Sequence, residues 1–495
     1  MNSFDTVFKL FIKSLFVSMS FFAAPVLSQT SSQVYLKGEH FFPKLQRFNQ
    51  KMNYLSLYMD WEGESRFRSL TFQINGVAEI FPDWGWPFVF RKGSFMPLMK
   101  KGTDWQFYLS LPSAFASYTY EFAPNELFKI QSLEVTLGRR VYSWSEADDY
   151  WGFGMWNPLS KWNPLTPFQN GLIGTFFDLK GQKWSFQFFA GEVYLPNQRV
   201  KMKLESDTTN GSTYFNSSSR WFAGVPRQVR TGPALFDINY YRRKTSLSDV
   251  LFQESTAASL KVWSGGQPNY WMRGSVGYRP VNEPFSIRNE HDVVKVSGKE
   301  GKETHVQQVF AFFPMKHRML SLEWGLDYQG VSFLFSVGDD YLFKKAAPEG
   351  WTFWRKQDDF SYLSIFLKYE YSILNQLEGF AQLSFINSRL SGASQANQGH
   401  RVSRQSLYKV TDGIGFDLNS QWKKGGQVKW ETSLQYLYSF PDKGGLLSLS
   451  GNFWFSKNFF IGGGLFILGA EKERISFLNY FRANDYLFWK VGYGF

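Results

Sequence analysis

The stretch that decides the fold is the last ten residues, Tyr486-Leu487-Phe488-Trp489-Lys490-Val491-Gly492-Tyr493-Gly494-Phe495. Successive side chains of a strand point to opposite faces. Leu487, Trp489, Val491, Tyr493 and Phe495 therefore share one apolar face, and Phe488, Lys490, Gly492 and Gly494 take the other. A strand that carries its apolar face to the final residue suits a closed membrane barrel. There the last strand pairs with the first and no open edge is left.

Working upstream, the same rhythm recurs. Val428, Trp430, Thr432, Leu434, Tyr436 and Tyr438 oppose Lys429, Glu431, Ser433 and Gln435. Leu320, Leu322, Trp324, Leu326 and Tyr328 oppose Ser321, Glu323, Gly325 and Asp327. Tyr270, Met272, Gly274, Val276 and Tyr278 oppose Trp271, Arg273, Ser275, Gly277 and Arg279. Strands of this kind are apolar outside and polar inside, the inverse of a soluble barrel. The predicted fold is all-β, a transmembrane antiparallel up-and-down barrel of about 20 strands, with 18 to 22 allowed. The apolar faces predict a lipid-exposed band about 25 Å tall. Counting back from the C-terminus puts the long segments near 141–170, 192–253, 339–359, 390–408 and 470–483 on one side. The short turns near 180–182, 329–330, 372–375 and 456–458 fall on the other, and 81–103 is left as an oddly long member of that short side. About 465 mature residues over about 20 strands leave about 23 per strand and connection, with about 9–11 needed to span. No separate plug domain of useful size fits.

The chain end resembles the C-terminal signal of bacterial outer-membrane barrel proteins, in which an aromatic terminal residue and apolar residues two and four places earlier are read by the barrel-assembly machinery. Phe495, Tyr493 and Val491 match it; Lys490 stands where that family often carries glycine. At the other end, Lys9 and Lys13 precede the apolar run Leu15 to Ala24, and Val26-Leu27-Ser28 supplies small residues. This reads as a signal peptide over 1–28. A short periplasmic lead-in over 29–52 and a barrel over 53–495 follow. Both features point to the outer membrane.

The 495 residues include no Cys, which excludes a disulfide framework and thiolate metal sites. Aromatic residues make up 20% of the chain, as strand ends with aromatic girdles require. The net charge is +12, about +11 without residues 1–28. For an exported barrel it suggests an anion-favouring lumen or contact with lipopolysaccharide phosphates, and nucleic acid is a poor partner. The basic segment 192–253, with Arg199, Lys201, Lys203, Arg220, Arg227, Arg230 and Arg242-Arg243-Lys244, reads either as a phosphate-holding external loop or as a solvated one.

The densest segment is Arg139 to Leu165, with Trp144, Glu146, Asp148, Asp149, Trp151, Trp156 and Trp162 and two Trp-Asn-Pro-Leu copies. It follows the fifth predicted strand. Its position is similar to that in general porins, where the loop after the fifth strand folds into the barrel and narrows the pore. That resemblance implies an acidic loop side, Glu146, Asp148 and Asp149, facing a basic wall of Arg140, Lys261, Arg273 and Arg279. Glu323 and Lys429 join the predicted pore lining. The alternative is an external cap whose Trp residues bury one another.

Five His residues, His40, His291, His305, His317 and His400, form no nucleophile-type motif, although His291 and His305 fit one hairpin. The acids of the loop are also compatible in kind with acid–base or Ca²⁺ chemistry. The sequence reading is a non-enzyme without cofactor or metal: a channel for passive diffusion of small polar solutes with a bias toward anions. The alternatives are a closed surface-structural barrel that engages polysaccharide or lipopolysaccharide, and an outer-membrane hydrolase. No interface stripe stands out, so the sequence leaves the oligomeric state open.

Overall fold

A computed structural model describes residues 29–42, 53–82, 105–123, 129–198, 203–206, 213–216, 228–231, 234–242, 251–282, 285–297, 302–313, 315–343, 359–374, 376–391, 408–471, 477–481 and 484–494. For the stretches between 203 and 242 and between 285 and 313 the description is of the backbone. The segment read as a signal peptide and the terminal Phe495 lie outside the described residues.

Eighteen strands form one closed barrel. They are β1 (Gln29–Phe41), β2 (Asn53–Phe67), β3 (Leu70–Pro82), β4 (Trp105–Glu121), β5 (Ile130–Arg140), β6 (Leu172–Gly181), β7 (Trp184–Val193), β8 (Phe252–Trp263) and β9 (Asn269–Pro280). The second half holds β10 (Lys316–Tyr328), β11 (Val331–Leu342), β12 (Asp359–Ile373), β13 (Leu377–Ser391), β14 (Gly413–Lys424), β15 (Gln427–Ser439), β16 (Gly444–Trp454), β17 (Phe459–Gly469) and β18 (Tyr486–Gly494). Each pairs antiparallel with its neighbours in the chain. The seam closes where β18 meets β1, with Leu36 opposite Val491 and Gly38 opposite Trp489.

Two expectations are corrected here. The strand count is 18, the lower bound of the expected 18 to 22, rather than about 20. The hairpin Phe285–Ser297 with Lys302–Phe313 brings His305 opposite Val294 and His291 opposite Gln307, as the sequence suggested. Its second strand pairs in parallel with Ala234–Arg242, however, which in turn pairs with Gln228–Thr231. These form a separate four-stranded sheet outside the barrel ladder. Secondly, residues 29–41 are not a lead-in. They form β1, hydrogen-bonded on both sides, because β18 needs a partner for its outer edge.

The connections sort by length. The links after β2, β4, β6, β8, β10, β12, β14 and β16 are short, and the C-terminal end of β18 and the start of β1 lie with them at what we call the turn end. Those after β5, β7, β9, β11, β13 and β17 are long and lie at the loop end. β3 ends and β4 begins at the loop end too; the segment 81–103 read as a long turn lies, beyond Pro82, outside the described residues.

The two faces alternate as predicted. Met272, Leu322, Trp324, Trp430, Leu487, Trp489 and Tyr493 are exposed on the outside, whereas Arg273, Ser275, Ser321 and Glu323 are buried inside. At the turn end the outer face carries Phe67, Tyr120, Tyr270, Tyr328, Tyr369, Trp422 and Phe455, all exposed. At the loop end it carries Phe107, Phe252, Tyr278, Tyr341 and Phe343, also exposed. Aliphatic residues fill the belt between.

Candidate functional site

The loop between β5 and β6, residues 141–171, has its own local logic. Ser145 sits in extended backbone and caps a short helix α1 (Glu146–Trp151) by accepting from Asp148 N. Gly152 ends it in the left-handed region at φ 64°, where a side chain would be strained. The Asp148 carboxylate then accepts from Met155 N at 3.0 Å and Trp156 N at 3.1 Å, drawing the chain back on itself. Asp149 accepts from Ser143 Oγ and from Gln169 Nε2 at 2.5 Å, tying the loop's two ends. Asn157 Nδ2 donates to Tyr142 O at 2.7 Å. Trp144 and Trp156 stack with centroids 5.7 Å apart.

This folded unit lies inside the barrel. On one side Glu323 of β10 accepts from Ser145 Oγ at 2.9 Å, Glu146 N at 2.8 Å and Ala147 N at 3.4 Å, so its carboxylate occupies the start of α1. Arg273 of β9 holds the same carboxylate at 2.5–2.8 Å, the loop's Glu146 at 3.2 Å and Ser143 O at 3.1 Å. Further round the wall, Trp151 Nε1 donates to Ser364 Oγ of β12 at 2.8 Å. Tyr150 OH donates to Asp417 of β14 and accepts from Ser384 Oγ of β13. On the far side, Trp162 Nε1 donates to Glu79 of β3 at 2.9 Å and its ring stacks on Tyr108 of β4 at 4.8 Å. Asn163 Nδ2 donates to Tyr486 OH of β18 at 3.4 Å. The loop thus touches opposite walls, and its Trp144, Trp151 and Trp156 are 0–2% exposed.

The wall is shaped to receive it. Ser259 of β8, Ser275 of β9 and Ser321 of β10 are paired in register, as are Ser336 of β11 and Ser364 of β12, all lumenal and buried. A Cβ at Gly277 would come within 2.9 Å of the Trp156 ring, and one at Gly415 within 2.6 Å of Tyr150 OH. A second inward piece, α2 (Phe477–Phe481) in the link before β18, adds buried Phe477, Leu478 and Phe481. Together these make one apolar cluster from Phe41 and Tyr486 through Trp151 to Phe360. Nearer the turn end the lumen is polar. A cavity of about 750 Å³ there is lined by Glu370, Glu378, Asn419, Gln421, Glu431 and Asn452.

Of the residues picked from sequence, the structure brings Glu146, Arg273 and Glu323 together. Arg140 lies on the lumen wall but spends its charge on Glu134 at 3.1 Å and Asp178 at 2.8 Å. Arg279 is buried and donates to Trp156 O and Asn282 Oδ1. Lys261 stands 4.1 Å over the Trp271 ring. Lys429 lies near the turn end, donating to Gln427 Oε1. The acidic side expected of the loop is corrected to Glu146: Asp148 and Asp149 face into the loop's own backbone and side chains. Burial pushes the Asp148 carboxyl up to about 7 and Asp149 up to about 6. Sequence reasoning missed Ser145, Tyr150, Ser364, Asp417 and α2. The available signal was the recurrence of Ser at lumenal positions of strands whose other face is apolar. Val491 and Tyr493 lie on the outer face of β18, as the terminal strand requires.

No protein-family model matches the chain, and no curated protein matches it. It is similar to solved barrels at low identity. Salmonella typhi OmpF, in complex with daunomycin, is 9% identical with a TM-score of 0.37, covering 94% of this chain and 97% of that one. Pseudomonas aeruginosa OccK9 is 9% identical with a TM-score of 0.39, covering 95% and 98%. Vibrio cholerae OmpT is 8% identical with a TM-score of 0.35, covering 94% and 96%. The strand ladder and the inward loop described above define the class on their own terms: an 18-stranded closed antiparallel barrel with a loop folded into its lumen.

Proposed function

We propose that the chain spans the outer membrane and conducts small polar solutes through a lumen narrowed by the 141–171 loop. The outer band of exposed aliphatic residues between two rows of aromatics supports the membrane-spanning reading. The loop end, with its long connections, then faces outside and the turn end faces the periplasm. The observation that carries the channel reading is the contrast within the lumen: a polar vestibule at the turn end leads up to a loop clamped across it by Glu323 and Arg273.

A preference for anions has a narrower footing than the net charge of +12 suggests. Arg140 and Arg273 are matched by wall or loop carboxylates, and Arg279 is spent on a carbonyl and an amide. The reading we favour is solutes of low net charge, with any anionic bias small. The continuous apolar cluster at loop level gives the second reading, a closed barrel that serves as a surface scaffold. Liposome swelling with graded polyols, amino acids and sugar acids tests the first. Size-limited entry of neutral and zwitterionic solutes is expected; no entry of any solute favours the scaffold.

A further inference from the structure

The turns carry a charge pattern that the passage through the lumen does not use. The connections at the turn end contain Arg68, Lys129, Lys183 and Lys457 against one acid, Glu126, in the link that also holds Lys129. All four are exposed. At the adjoining strand ends Arg66 is paired with Glu64 and Lys423 with Glu378 at 2.5 Å, while Glu121 is an exposed carboxylate at the end of β4. Just inside the turns lies the aromatic row of Phe67, Tyr120, Tyr270, Trp422, Trp430 and Phe455. Along the strands the order is therefore aliphatic belt, aromatic row, cations.

Rings of this kind settle at the level of lipid headgroups, and cations just beyond them sit at the phosphate plane. Arg68 shows the arrangement locally: its guanidinium lies 5.6 Å over the ring of Phe67, which is 68% exposed on the outer face. Leu374, at the tip of the β12–β13 turn, is 86% exposed. An apolar turn tip among cations fits a leaflet surface better than open water or a hydrated polymer. A zwitterionic headgroup brings an ammonium that needs an acceptor. The turn end offers few: four cations in the turns stand against Glu126 in the β4–β5 link and Glu121 at the end of β4.

We propose that this turn-end rim binds anionic glycerophospholipid headgroups in the leaflet it faces, so that the barrel retains phosphatidylglycerol-type lipid around its periplasmic mouth. The inference rests on the membrane-spanning reading above. Each cation near such a surface contributes a preference of roughly fivefold when it is fully engaged.

The test is a competition between brominated phosphatidylglycerol and brominated phosphatidylcholine in bilayers holding the full-length barrel, read by quenching of its tryptophans. The wild type should favour the anionic lipid severalfold at low salt and lose the preference at high salt. The combined variant Arg68→Gln, Lys129→Gln, Lys183→Gln, Lys457→Gln should lose it at all salt concentrations. Quenching by brominated phosphatidylcholine alone should stay at the wild-type level, which also reports that the variant is folded in the bilayer. Equal quenching by the two lipids in the wild type overturns the proposal and leaves the membrane-spanning reading intact. Absence of quenching by either lipid removes that reading itself. Capture of the wild type but not the variant by peptidoglycan, with no lipid preference, assigns the rim to the cell wall instead and likewise overturns the proposal.

Discussion

Replacing Glu323 by Ala should release the loop without opening the barrel wall. The carboxylate is 3% exposed and serves two roles at once: it ends three donors at the start of α1, and it neutralises Arg273, itself 7% exposed. Removing one member of a buried pair costs about 3–5 kcal/mol, because the other charge stays buried. Here Glu146 remains 3.2 Å from Arg273, but it is the more exposed partner and compensates in part. The wall itself keeps its backbone ladder from β9 through β10 to β11, so the loss falls on docking of the loop. At 1.4 kcal/mol per decade, about 3 kcal/mol lowers the docked-to-undocked ratio by about two orders of magnitude. Trypsin cleavage after Lys161, followed on denaturing gels of protein folded in vesicles, reads the undocked state. Glu323→Ala should be cut far faster than wild type. Glu323→Gln keeps an acceptor for Ser145 Oγ and the two amides but loses the charge, and should fall between. Equal resistance of all three proteins would refute the clamp.

Three more expectations follow from the same structure. Burial raises Asp148 to about 7 and Asp149 to about 6, with the charges of Asp149 and Asp340 acting in the same direction on Asp148. A raised carboxyl favours the docked, protonated state, so docking is strongest below the ordinary carboxylate range near 4 and weakens as pH rises through 7; conductance should therefore fall on acidification across that window, and Asp148→Asn should flatten the response. Leu322, in the middle of the outer belt and 52% exposed, should not tolerate Arg: a cost of about 2–4 kcal/mol is expected from urea midpoints of folding into vesicles. Deleting Phe495 should lower the heat-modifiable folded fraction in outer membranes, and normal folding on deletion counts against the terminal-signal reading.

How much was legible in sequence depended on whether neighbours in the chain or across the lumen decide a residue's fate. Strands such as β9, β10 and β18 are legible because alternation of Met272 with Arg273, or Leu322 with Glu323, is a local property that one buried and one exposed face enforce. β1 is not: Gln29 to Phe41 offers Val34 and Leu36 on its outer face among Ser, Gln and Lys, and it becomes a strand because β18 and β2 both need a partner. Nothing local in the 285–313 hairpin says that its second strand pairs in parallel with 234–242. In the loop, position after the fifth strand pointed inward by resemblance, while aromatic density suited an external cap as well; the contacts with Glu323, Ser364 and Glu79 decide it. Charge type alone could not tell Glu146, which meets Arg273 across the lumen, from Asp148, which turns back onto the amides of Met155 and Trp156. That choice is set by the helix cap at Ser145 and by where β10 places Glu323.

If the loop narrows the 18-stranded lumen that contains it, its removal must widen the path for ions. Single-channel recording in planar bilayers, comparing wild type with a variant in which residues 147–165 are replaced by a short Gly-Ser link, tests it most directly. Wild type should give small, well-defined steps and the variant several-fold larger ones, since the obstruction is removed and the wall is kept. Equal conductance in both proteins, or no steps in either, would contradict it.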